Sequence, residues 1–203
     1  MARGGQKTDR EVAILEAAWG LFVRHGVGEV TIDQIASVSR VGKGTVYNYF
    51  VSKDELSARV FLSRYSELMD AIRQIDTDQP VIPLLRSYMM AFARFHLADK
   101  DRHQVLSDCQ ARWQWSGLSE ATRRELTAIN QTTLALSTPL FQRGIREQVF
   151  REASITALTR VGISMFLGIL QNLFRGPGDL SDEEVGAFVD LASDILISGL
   201  RRA

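Results

Sequence analysis

Five residues near the middle of the chain have side chains suited to chemistry: His96, Asp99, Asp101, His103 and Cys109. Imidazoles and carboxylates bind zinc, and a thiolate is a nucleophile. Their spacing fits no metal-binding or nucleophile motif, and they straddle a joint between two expected helices. They therefore read as solvated loop charges with one inward cysteine. The chain also lacks a P-loop, a dinucleotide-binding glycine pattern and a nucleophile elbow, so no enzyme activity, metal or cofactor is expected.

A different chemistry is offered by "VGKGTVYNYF", Val41 to Phe50, which has one cation, no acid, three aromatics and two glycines. Wound as a helix from Lys43, it turns Lys43, Gly44, Tyr47 and Asn48 to one side and Val46 and Phe50 to another, with Thr45 and Tyr49 flanking. Arg40, Lys43 and Lys53 are the only charges between Arg40 and Lys53. The stretch is thus locally cationic, as phosphate binding requires. Tyr47 and Tyr49 can donate to phosphate oxygens, Asn48 can present its amide to a base edge, and Gly44 lets backbone approach closely. Tyr49 fits a core position as well as an exposed one.

Such a helix needs elements to hold it. Leu15, Ala18, Trp19 and Phe22 follow helical spacing, with a capping box at Thr8 to Glu11 and a stop at Gly26, and Trp19 and Phe22 are expected in the core. "TIDQ" at Thr31 opens a short helix through Ile35 and Ala36, "SRVG" makes a tight connection, and "SKDE" at Ser52 is a further capping box opening a long helix. Two short helices joined this way form a helix-turn-helix, whose second helix can lie in a major groove. The helix N-termini at Thr31 and at Ser52–Lys53 offer N–H groups to phosphates.

Beyond a joint at Asp76 to Pro83, helical periodicity continues to the end with no alternating pattern, so the fold class is all-α, with nine helices. Pro139 is expected to bend or break one of them, "GPG" at Gly176 to end another, and "SDEE" at Ser181 to cap the last. Lys plus Arg and Asp plus Glu both total 24, so overall charge selects no partner. The single cysteine, the absence of an apolar leader and an apolar run, "VGISMFLGIL", far short of the roughly 20 residues needed to cross a bilayer point to a cytoplasmic protein with no membrane partner.

From Ile14 to Leu56 the chain resembles the TetR family of transcriptional regulators, in the apolar spacing, Gly26, Thr31, Ile35-Ala36, Lys43-Gly44-Thr45, Tyr47, Phe50 and Lys53-Glu55-Leu56. The resemblance implies a three-helix DNA-binding head over residues 1–52 and a six-helix ligand-binding and dimerisation body over 53–203. It also implies DNA contacts at positions matching Lys43, Gly44, Thr45, Tyr47, Asn48 and Tyr49, and phosphate contacts at Thr31 and Lys53. The turn departs from the family: Arg40 replaces the usual glycine and Gly42 the usual serine cap. Arg40 can reach a phosphate or stay solvated.

A helix-turn-helix reads DNA most often as a two-fold dimer. "VGISMFLGIL" is apolar nearly all round and, with the stripe from Val185 to Gly199, supplies a candidate interface through Leu158, Gly162, Met165, Phe166, Ile169, Phe188, Ala192 and Ile195. Tyr88, Met89, Phe92, His96, Cys109 and Trp113 describe a small-molecule pocket and a filled core equally, and the resemblance selects the pocket. The expected function is a dimeric DNA-binding regulator, a repressor released from an inverted-repeat operator on double-stranded DNA by a small hydrophobic effector. The competing reading is a small-molecule-handling helical protein whose head contacts a protein partner.

Overall fold

Helix α1, Asp9–His25, buries Ile14, Leu15, Ala18, Leu21 and Phe22 along one side. It ends because Gly26 takes a left-handed φ of 79° and donates its N–H to the Phe22 carbonyl at 2.8 Å, a conformation glycine adopts without steric cost. The computed structural model describes residues 9–97, 100–175 and 181–201. The capping box at Thr8, the stop at Gly176–Gly178 and Asp99 lie outside them. Phe22 is fully buried, but Trp19 is only half-buried, with the Arg64 guanidinium 4.9 Å over its ring. A cation over an indole face thus covers a side chain that periodicity alone assigns to the core.

Helix α2, Ile32–Val38, opens on a complete capping box: the Thr31 hydroxyl accepts from the Gln34 N–H, and the Gln34 amide oxygen accepts from the Thr31 N–H at 2.7 Å. It closes with the Arg40 N–H on the Ser37 carbonyl and the Val41 N–H on the Ala36 carbonyl, the paired bonds of a Schellman turn. Arg40 holds the position such a turn gives to glycine, at φ 57°. Helix α3, Lys43–Tyr49, follows, with Gly42 as an N-cap that supplies no side-chain bond.

Helix α4, Lys53–Arg73, starts with the Ser52 hydroxyl accepting from the Glu55 N–H at 2.9 Å. The expected box is only half formed on its own helix. The Glu55 carboxylate, 4% exposed, instead accepts from the Ser119 N–H at 2.7 Å, the Ser119 hydroxyl at 2.8 Å and the Thr122 hydroxyl at 2.5 Å, so it caps the start of α7. Three bonds to one buried carboxylate offset its desolvation, where a box at the surface would not need it buried.

The joint expected at 76–83 is a connection only as far as residue 80, since its last three residues form the first turn of α5, Val81–Leu97; α6, Lys100–Arg112, a 3-10 turn at Trp115–Gly117 and α7, Glu120–Arg146, come next. Helix α7 runs unbroken through Pro139, so of the expected bend or break the break does not occur. Proline removes one backbone bond there, while the Ser137 and Thr138 hydroxyls turn back onto the Thr133 and Leu134 carbonyls at 2.9 and 2.7 Å. Burial of Leu140 and Phe141 holds the following turn. Near its end, a Cβ at Gly144 would fall inside the Phe150 ring, so only glycine fits.

Helices α8, Ile155–Arg175, and α9, Asp182–Leu200, complete the chain, α9 opening on the capping box of Ser181 and Glu184. The described residues thus form nine α-helices and no strand. They divide into two compact units: residues 1–66 with 101–127, and 67–100 with 128–203, the divisions falling inside α4, after the first residue of α6 and inside α7. Among the described residues no helix is long and apolar enough to cross a membrane.

Candidate nucleic-acid interface

In the first unit, α3 is fixed from beneath. Val46 and Phe50 are fully buried, as are Ile35 on α2 and Ile14 and Phe22 on α1. The opposite side is open: Lys43, Gly44 and Asn48 are exposed, Tyr47 is 46% exposed, and Thr45 and Tyr49 are half-buried at its flanks. A Cβ at Gly44 would meet no atom within 4 Å. One face of a short helix therefore presents an ammonium, a phenol, an amide and bare backbone to solvent, while its other face is anchored in hydrocarbon.

The surrounding cations are less free than sequence suggests. Lys43 Nζ donates to Asp33 Oδ2 at 2.8 Å, and this bond, followed by the Asp33 charge, raises the ammonium above the usual lysine range. Both partners are more than half exposed, so the pair is an easily exchanged one. Lys53 Nζ donates to the Gly28 carbonyl at 2.9 Å. Burial, then the like charge of Arg112, pushes it below the usual range. Thr31 and Arg40 are exposed.

The second unit holds a partly open cavity of about 100 Å³, lined by Tyr88, Met89 and Phe92 from α5, Leu136, Ser137 and Leu140 from α7, and Thr159, Gly162 and Phe166 from α8, among others. None of its lining residues is charged. Its hydroxyls are satisfied within the wall: Tyr88 donates to the Leu136 carbonyl at 3.3 Å, and Ser137 and Thr159 lie 3.1 Å apart. Burial raises the Tyr88 phenol above its usual range.

Of the six residues expected to meet an effector, the cavity brings together Tyr88, Met89 and Phe92. His96 is buried against Phe92 and Phe95, outside the lining. Cys109 and Trp113 belong to the first unit, where Trp113 packs edge-on to Phe61 at 5.2 Å. Cys109 is fully buried, and that burial pushes its thiol up to about 12, which favours the neutral form over the reactive thiolate. Among the described residues no group of His, Cys, Asp and Glu is placed to hold a metal ion. The α7 contribution to the cavity, Thr133, Leu136, Ser137, Leu140 and Phe141, has a single aromatic and was not legible as a site.

The residues assigned to a subunit interface fall on two sides of α8 and α9. Leu158, Gly162 and Phe166 line the cavity, and Phe166 and Ala192 are buried at 3% exposure. Met165 and Ile169 are half-buried, whereas Phe188 and Ile195 are exposed. Two residues outside the sequence assignment, Val161 and Leu191, are 60% and 57% exposed. Phe188, Leu191 and Ile195 form one outward apolar stripe at i, i+3, i+7 spacing.

A helix-turn-helix held on a hydrophobic base, followed by an all-helical remainder, defines the fold class. The model for bacterial regulatory proteins of the tetR family matches residues 14–60. The chain is 40% identical over 60 residues to the HTH-type transcriptional regulator YhgD of Bacillus subtilis, a match covering 30% of this chain and 31% of that one. It is 37% identical over 65 residues to the HTH-type transcriptional repressor SCO4008 of Streptomyces coelicolor, covering 32% and 33%. These matches span about a third of the curated relatives' length. Over nearly the whole length, the fold is similar to that of the fatty acid degradation regulator FadR from Bacillus halodurans, with a TM-score of 0.75, 98% of this chain and 100% of that one covered, and 18% identity. Residues 14–60 are thus similar to the tetR family of bacterial regulatory proteins.

Proposed function

We propose that the protein is a dimeric DNA-binding transcriptional regulator, a repressor that occupies an inverted-repeat operator and is released by a small hydrophobic effector. The observation that carries this reading is the outward face of α3, with Lys43, Gly44, Tyr47 and Asn48 open to solvent over a buried Val46 and Phe50. Tyr47, Tyr49, Lys43, Arg40, Lys53 and the α2 N-terminus at Thr31 would take phosphates, and Asn48 with Thr45 would face base edges. Residues 1–52 read DNA in this view, and residues 53–203 sense and dimerise. The regulator acts in the cytoplasm, where its operator is.

Dimerisation is supported by Val161, Phe188, Leu191 and Ile195, an exposed apolar patch on two helices that a second copy of the chain would cover isologously. The effector is supported by the cavity. Its uncharged wall with internally satisfied hydroxyls suits a compact neutral apolar molecule and disfavours an ion, whose desolvation nothing there would offset. The lever is α4, whose residues 53–66 belong to the first unit and 67–73 to the second. An effector releases DNA only by its preference for the arrangement with wrongly spaced heads.

The test is fluorescence anisotropy on inverted-repeat duplexes from the protein's own promoter, at several salt concentrations. Binding should weaken steeply with salt, and Tyr47→Ala should weaken it by about 1–3 kcal/mol without altering the fold. Equal affinity in Tyr47→Ala and Lys43→Ala would remove α3 from the interface.

A further inference from the structure

Lys53 and Arg112 stand together at the loop between α1 and α2, brought there by different helices. Lys53, the first residue of α4, reaches the Gly28 carbonyl. Arg112, the last residue of α6, lays its guanidinium so close to Gly28 that a Cβ there would sit 3.0 Å from Nη1. Gly28 does not adopt the left-handed φ that Gly26 does, so what its missing side chain provides is room for this guanidinium. The end of α6 is fixed: Cys109 is fully buried one turn before, and Trp113, the next residue, packs on Phe61. Arg112 itself is exposed and makes no ion pair or hydrogen bond among the described residues.

Two cations kept in one notch repel each other. After burial, the Arg112 charge is the next influence depressing the Lys53 ammonium, ahead of the support from Glu29 or Asp54. An anion between them would remove that conflict. A guanidinium presents a planar fork matched to two phosphate oxygens, and an ammonium adds a point charge beside it. Thr31, an exposed helix N-cap, follows on the same loop.

We propose that Lys53 and Arg112 form a single phosphate-binding notch against Gly28, which takes a backbone phosphate of the bound duplex. Helix α6, as well as the helix-turn-helix, then grips the operator. This rests on the DNA-binding reading. Arg112 lies outside the residues that match the family model, so the contact belongs to this chain rather than to the shared motif.

The experiment compares the salt dependence of operator binding for the wild type, Arg112→Gln and Arg112→Lys. Loss of one phosphate contact lowers the slope of log K against log salt by about 0.9, or about 1.8 for both subunits of a dimer. The wild-type advantage over Arg112→Gln should therefore shrink about twelvefold between 50 and 200 mM salt. It should do so equally on strong and weakened operators, with Arg112→Lys keeping the wild-type slope. The slope does not depend on the fraction of active protein, so partial unfolding cannot imitate the effect. An unchanged slope in Arg112→Gln, with a wild type that binds in a salt-dependent way, overturns the notch alone. A wild type that binds no duplex overturns the DNA reading and the notch with it.

Discussion

Replacing Gly44 with alanine should move stability and recognition in opposite directions. Gly44 is the second residue of α3, and a Cβ there meets nothing within 4 Å. The substitution adds no clash in the free protein and removes the extra backbone freedom that glycine has in the unfolded chain. That contributes about 0.5–1 kcal/mol to stability. For a chain of this size the melting temperature should rise by about 1–4 °C. On DNA the same methyl would stand between the helix and the duplex. Crowding one extra carbon into an interface packed like a protein interior costs about 1–3 kcal/mol, or roughly 5- to 150-fold in Kd. Differential scanning fluorimetry and anisotropy on one preparation read both effects. A raised melting temperature with unchanged operator affinity would refute the seating of α3 against DNA. A lowered one would refute the open space above Gly44.

Two further outcomes follow from the geometry. Arg40→Gly relieves a non-glycine residue held at φ 57°, and should stabilise the protein by about 1 kcal/mol in chemical denaturation. If Arg40 also holds a phosphate, the variant loses about 0.9 in salt slope per subunit. Ile195→Glu, at a position 59% exposed, should leave the monomer fold intact and yield monomers in analytical ultracentrifugation. A variant that sediments as a dimer would move the interface off this stripe. Phe166 is unsuitable for that test, since it is buried and lines the cavity.

What the sequence determined by itself was local. The capping boxes at Thr31 and Ser181, the stop at Gly26, the all-helical class and the polar side of α3 all rest on residues within four or five positions of each other. At that range, backbone geometry fixes which side chains meet. The tertiary structure decided which distant groups meet. Glu55 has the spacing to close its own helix but caps α7, because Ser119 and Thr122 offer three donors where it is buried. Helix α8 is apolar nearly all round, so its period could not say that Phe166 turns to the cavity while Val161 turns to solvent. Cys109 and Trp113 share the composition of the cavity wall yet pack in the other unit, and Arg112 meets Lys53 only because α6 ends beside Gly28. Periodicity records which side of a helix avoids water, but what lies across from that side depends on where the chain returns, and no local spacing encodes it.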